Sequence, residues 1–326
     1  MAQPTYDDEQ ARLTAERCMR EGRFDEAVAL YRGLVDAHPD EESYLLALAW
    51  AFHDQGAMDE ATGCFERLLD RELSRKVFTG FGFDELVRIY KERGRYDRLV
   101  DVCRRACKAQ PEDYALLGEL GEACLLAAQP AEAAAAFRKM TDLEPDDAMA
   151  FCRLGNALIA LGRFAEAEAA YGRATAIEPD SACLFATRLA DAYLRAGEAE
   201  RAESAARRCL ERGPEEPLHH CNLGDILILR GRLEEARSAY AAAVALRPGD
   251  TGAYYNRLGN ALARAGRHLQ AVEAFALAVA AAPETSYFHE RMAASYRALG
   301  LNDLAREAET RAGRKKKGPR GNPTGR

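Results

Sequence analysis

Five residues recur at one register in the second half of the chain: Arg153, Arg188, Asn222, Arg257 and Arg291. Guanidinium and carboxamide groups hold N–H donors in fixed directions, which suits carboxylates and the carbonyls of an extended peptide. Asn156, Asp191, Asp225 and Asn260 follow three residues after the first four of them, one turn along the same helix face. A donor repeated once per structural unit can grip a chain that repeats an acceptor along its length. This is recognition chemistry rather than bond-making chemistry.

Residues for catalysis are harder to find. No phosphate loop, GxSxG elbow or HExxH motif occurs, and Gly80-Phe81-Gly82 lacks the third glycine of a nucleotide fingerprint. Cys103 and Cys107 stand one helical turn apart, but no second pair follows at zinc-finger spacing, so they read as thiols of core or surface. In His219-His220-Cys221 the periodicity puts His220 on the core stripe, as a satisfied histidine and not a ligand. The expectation is a protein with no catalytic residues, no metal and no cofactor.

The elements that position the donors are set by a turn residue: Gly22, Gly56, Gly94, Ala128, Gly162, Gly197, Gly231, Gly266 and Gly300, at gaps of 34 to 38 residues. Such a period means a helical hairpin copied about nine times. In the unit 148–181, Phe151, Leu154, Gly155 and Leu158 fall on one helix face before Gly162. Ala167, Tyr171 and Ala174 line a second helix, which Glu178-Pro179-Asp180 ends. Most other units repeat an Ala, an aromatic four residues later, and a closing proline. The small residue is expected to let the two helices approach, and the ring to fill the gap to the next unit.

The Leu-Gly pairs Leu120-Gly121, Leu154-Gly155, Leu223-Gly224 and Leu258-Gly259, with those three columns, resemble the tetratricopeptide repeat (TPR) family over roughly Asp8 to Lys317. The resemblance implies an all-α, right-handed superhelical solenoid of about nine helix-turn-helix repeats. It also implies that the first helix of each pair lines a concave groove and that the role is protein–protein recognition. The repeats are expected at 8–41, 42–75, 80–113, 114–147, 148–181, 183–216, 217–250, 252–285 and 286–317, after a flank at 1–7 and before a basic, disordered tail at 313–326. Extra residues after Leu73 (Glu72–Phe83) read as a longer loop or helix, or as a joint. The pattern of a chaperone-tail clamp is met only in part by Asn156, Arg188 and Asn222.

At about 100° per residue, positions nine and six before the turn face away from the hairpin core. The same groove shows Met149, Leu184, Leu218, Leu229 and Tyr287 thirteen or two residues before a turn. An apolar groove with a donor rail is therefore expected to bind a peptide or partner protein, mainly in repeats five to nine. The named residues are Arg153, Asn156, Arg188, Asn222, Arg257, Asn260, Arg291, Leu184, Leu218 and Tyr287. Internal ion pairing of those arginines with Asp191, Asp225 and Glu290 is the competing reading. Trp50, beside His53 and near Arg88, reads equally as an anchor for a partner or as cover for the core.

Charge bounds the partners. Seven basic residues and no acid lie between Arg311 and Arg326, which leaves −14 on residues 1–310 against a net −7 for the chain. An acidic body argues against general nucleic-acid binding, which rests on neutralising phosphates. The start has neither a basic nor an apolar region, so no signal peptide is expected. The longest apolar runs fall far short of the ~20 residues of a membrane span. Nine scattered cysteines favour a reducing, cytoplasmic setting. Two other roles fit the sequence: an accessory or targeting subunit of an enzyme or secretion machine, and a nucleic-acid-binding solenoid that uses the basic tail.

Overall fold

The computed structural model describes residues 5–75 and 80–316, with side chains up to 313. The basic tail beyond Lys316, most of the basic side chains before it, residues 76–79 of the extra stretch and the first residues of the N-terminal flank lie outside the described residues. Eighteen α-helices and two 3-10 turns make up the regular structure of the described residues, without a strand.

The chain divides into two compact units, with the division inside one helix at Ala150. The first holds α1 (Tyr6–Arg20), α2 (Phe24–Ala37), α3 (Glu42–Gln55), α4 (Met58–Arg75), α5 (Phe81–Glu92), α6 (Tyr96–Ala109), α7 (Tyr114–Leu126) and α8 (Pro130–Leu143). After α9 (Ala148–Ala160), the second holds α10 (Phe164–Ile177), α11 (Ala182–Arg195), α12 (Ala199–Arg212), α13 (Pro217–Leu229) and α14 (Leu233–Leu246). It ends with α15 (Thr251–Arg264), α16 (His268–Ala281), α17 (Ser286–Ala298) and α18 (Asn302–Lys316). Consecutive helices pack as hairpins, and in the second unit α13 also lies against α15, and α15 against α17. The last helix takes in Gly313 and runs on to Lys316, into the stretch expected to be unstructured.

Each turn residue does what its spacing suggested. Gly162 has φ +72, its N–H bonds the Ile159 carbonyl at 2.9 Å, and the next N–H bonds the Leu158 carbonyl at 2.9 Å. That left-handed cap closes the first helix and reverses the chain. Ala128 adopts the same conformation, φ +55, as the one non-glycine with positive φ among the described residues. Proline closes the hairpin at its other end, after Glu178 and Arg247.

The hairpin core is a ring on a bare backbone. A Cβ added at Gly155 would lie 2.7 Å from the Tyr171 ring, and one at Gly224 would lie 2.8 Å from the Tyr240 ring. Gly121 and Gly259 meet Phe137 and Phe275 in the same way. The ring therefore packs on the first helix of its own hairpin, a contact that the sequence alone does not place. Helix α4 runs past Leu73 through Ser74 and Arg75 and has 18 residues where α2, α6 and α8 have 14.

Candidate functional site

The second unit presents the opening helices α11, α13, α15 and α17, and four of the five donor positions fall on them; Arg153 lies on α9. Arg188 on α11 is exposed and has no hydrogen-bond or ion-pair partner among the described residues. Arg257 on α15 is different. Its Nε and Nη2 donate to one carboxylate oxygen of Asp225 on α13 at 3.0 and 2.8 Å, and Nη2 also donates to Asn222 Oδ1 at 2.7 Å. The other Asp225 oxygen accepts from the Tyr240 hydroxyl. Burial works against the charge of Arg257, and Asp225 outweighs it, so the guanidinium is held above its ordinary value.

The internal-pairing reading thus holds at Arg257 and Asn222. Arg291 on α17 is exposed, bonds the Tyr287 hydroxyl at 2.6 Å and lies 4.7 Å from that ring. Asn156 accepts from the Tyr171 hydroxyl at 2.7 Å, and Arg153 beside it is half-buried and engaged. Leu184, Leu218, Leu229 and Tyr287 are all exposed, between 40% and 59%.

Trp50 lies in the first unit, half-buried, with its ring 5.7 Å from that of fully buried Phe65 and 5.2 Å from that of His53. It leans on the core there. His53 in turn contacts Arg88 at 3.3 Å.

Two cavities lie along the opening helices of the second unit. The first, about 540 Å³, is lined by Thr187, Asp191, Leu194, Asn222, Leu229, Arg257 and Arg264, among others. The second, about 580 Å³, is lined by Asn256, Arg257, Asn260, Arg264, His268 and Arg291, among others. Arg257 and Arg264 belong to both, which makes them neighbouring parts of one cleft. Asn222, Arg257, Asn260 and Arg291 line these cavities; Arg153, Asn156, Arg188, Leu184, Leu218 and Tyr287 lie outside them.

Three polar residues of the cleft escaped the register argument. Arg264 is exposed and without a partner among the described residues. Asn256 Oδ1 and His268 Nδ1 are buried atoms without a hydrogen-bond partner among the described residues. Arg264 stands two residues before Gly266, the position Leu229 holds before Gly231, so that column carried the signal. Nothing in the spacing marks Asn256 or His268.

The cysteines divide. Cys103 and Cys107 are buried, and burial pushes the Cys107 thiol up to about 11. His220 is not on the core stripe. Cys221 fills that place, fully buried, while His220 is half-buried and bonds the Pro214 carbonyl at 2.7 Å. A cluster invisible in the spacing joins Cys183, Cys209 and His219, whose ligand atoms all lie within 4.8 Å of one another.

A family model described as the cilia and flagella-associated protein 70 C-terminal domain matches residues 42–254, and a tetratricopeptide-repeat model matches residues 252–285. The chain belongs to the tetratricopeptide-repeat family. Its family match covers well over half of the chain, in the group described by the first of those models. A crystal structure of MamA protein is 20% identical, covers 53% of this chain and 93% of its own, with a TM-score of 0.37. A second crystal structure of MamA is 17% identical over 61% of this chain and 95% of its own, with a TM-score of 0.31. The APC/C hetero-tetramer Cut9–Hcn1 is 14% identical over 96% of this chain and 74% of its own, with a TM-score of 0.37. No curated protein matches the TPR chain. TPR proteins bind protein partners. No helix among the described residues is long and apolar enough to cross a membrane.

Proposed function

We propose that this TPR protein is a non-catalytic adaptor that holds an extended, acidic segment of a partner protein in the cleft of its second unit. The observation that carries this reading is a set of unspent polar groups around a cavity of about 580 Å³. Asn256 Oδ1 and His268 Nδ1 are buried without partners among the described residues, and Arg264 beside them is unpaired. Buried polar atoms left unpaired cost about 1–3 kcal/mol each, so a ligand that meets them gains on binding.

Chemistry selects the ligand class. An extended peptide offers one carbonyl and one N–H per residue to Asn256 and His268, and its carboxylates suit Arg264 in the cleft and exposed Arg188 on α11. Exposed Leu184, Leu218 and Leu229 along the same helices add apolar contact for alternate side chains. Arg257 acts here as a strut: its partners are Asp225 and Asn222, and it shapes the cleft from within.

The test is contact mapping. A photo-cross-linking residue at Leu218 or Leu229 is expected to capture the partner recovered with the intact chain. The same residue at Leu246, an exposed leucine on closing helix α14, is expected to capture none. Equal capture at all three positions overturns the cleft as the binding surface.

A further inference from the structure

Four columns of the repeat change character at one junction between hairpins. Twelve residues after the turn the chain carries Leu, Ala or Met in every other unit, as at Met140, Ala174 and Ala243, but Cys at 209. Twelve before the turn, the neighbouring units carry Phe185, Tyr254 and Phe288, but this one carries His219. Fourteen before the turn stands Cys183, the one cysteine of its column. The residue before the closing proline is His38, Gln110, Glu144, Glu178, Arg247 or Ala282 elsewhere, but Gly213 here.

Gly213 is not required by the backbone. Its φ of −137 matches −140 at Arg247 and Ala282, where side chains are borne. It is required by the histidine: a Cβ at 213 would fall 2.9 Å from His219 Cε1 and 3.0 Å from Nδ1, and 4.0 Å from the Cys183 sulfur. The His219 Nδ1 lies 2.8 Å from the Gly213 carbonyl oxygen. A carbonyl only accepts, so Nδ1 carries a proton and Nε2 is the nitrogen left to act as a ligand. A backbone carbonyl that fixes the tautomer in this way is the usual support of a metal-bound imidazole.

We propose that Cys183 of α11, Cys209 of α12 and His219 of α13 form a binding site for a thiophilic divalent cation of the Zn²⁺ class. Their ligand atoms already lie within 4.8 Å of one another, and two sulfurs with one imidazole nitrogen is a donor set that Zn²⁺ favours. The thiols bond each other's backbone at long range, 3.5 Å from Cys183 Sγ to the Cys209 carbonyl and 3.7 Å in the reverse direction. On binding, each thiol releases its proton to solvent as its sulfur–metal bond forms. Two thiolates then balance the dication, and His219 binds neutral. Cys209 and His219 also line the 540 Å³ cavity with Thr187 and Asp191, which leaves the fourth position facing the cleft.

The experiment titrates Co²⁺ into the reduced full chain, with a phosphine as reductant, and records the thiolate-to-metal charge-transfer and tetrahedral ligand-field bands. One equivalent is expected to bind and to be displaced by Zn²⁺. His219→Phe and Cys209→Ala install residues that the same columns carry elsewhere, so both variants keep the hairpin packing. Each is expected to weaken Co²⁺ binding at least about tenfold and to alter the bands. Cys103→Ala with Cys107→Ala is expected to leave them unchanged. Absence of the bands in the parent chain overturns the proposal. So does their survival in His219→Phe and Cys209→Ala, or their loss in the α6 variant.

Discussion

Arg257 on α15 spans the boundary between two hairpins and places Nε and Nη2 3.0 and 2.8 Å from one oxygen of Asp225 on α13. The other Asp225 oxygen is taken by Tyr240, the ring that packs on Gly224. One carboxylate thus ties the core of one hairpin to the next. Arg257→Ala removes a charge-assisted bond from a half-exposed side chain and leaves Asp225 with one partner fewer. A cost of about 1 kcal/mol in urea unfolding is expected, after discounting for solvent screening.

Glycines in this chain have opposite roles, and alanine separates them. At Gly172 on α10 an added Cβ meets nothing within 4 Å, so Gly172→Ala is expected to stabilise by about 0.5–1 kcal/mol through helix propensity. At Gly224 the Cβ would meet Tyr240 at 2.8 Å, and that ring is fully buried and tied at its hydroxyl. Overpacking of about 1–3 kcal/mol outweighs the propensity gain there. Gly224→Ala should lower the melting temperature and Gly172→Ala should raise it.

Ala128 carries a left-handed turn that eight glycines carry elsewhere, at φ +55. The conformation costs a residue with a Cβ about 1–2 kcal/mol, part of which glycine loses again through the freedom of the unfolded chain. Ala128→Gly is expected to stabilise the first unit by about 0.5–1 kcal/mol, read as a shift of its urea midpoint.

Glu203 on α12 has a side chain only 7% exposed and faces Arg207, Arg230 and Arg232, with both oxygens 2.8 Å from Arg232. Burial opposes its charge, and the hydrogen bonds from Arg207 and Arg230 outweigh that, so its pKa lies below the ordinary 4.5. A depressed carboxyl contributes stability that is fully present above about 4.5 and is lost as pH falls through the folded value. The second unit should therefore lose stability as pH drops below 4.5, and Glu203→Gln should flatten that dependence. It should also cost about 2 kcal/mol at neutral pH, seen by thermal melts across pH.

The sequence made the helices, turns and hairpin phase legible because each depends on neighbours within one unit. Even the exception at Ala128 was visible as a break in the glycine column. What the register could not settle was who meets whom between units. Arg257 reads by its angle as a groove donor or as a partner of Asp225, and its bonds to Asn222 and Asp225, 35 and 32 residues away, are set by hairpin stacking. Cys183, Cys209 and His219 come from three helices with no motif spacing, and only the packing of α11, α12 and α13 brings them together. Asn256 and His268 show as unsatisfied only once burial is known.

Arg188 and Arg264 give the most direct test, because neither has a structural partner among the described residues. The measurement is the affinity of the Arg188→Ala, Arg264→Ala chain for the partner recovered with the intact protein, beside its circular dichroism and melting curve. The cleft reading predicts at least a tenfold loss, about 1.4 kcal/mol, with the helical spectrum and melting unchanged. Affinity equal to that of the intact chain would contradict it.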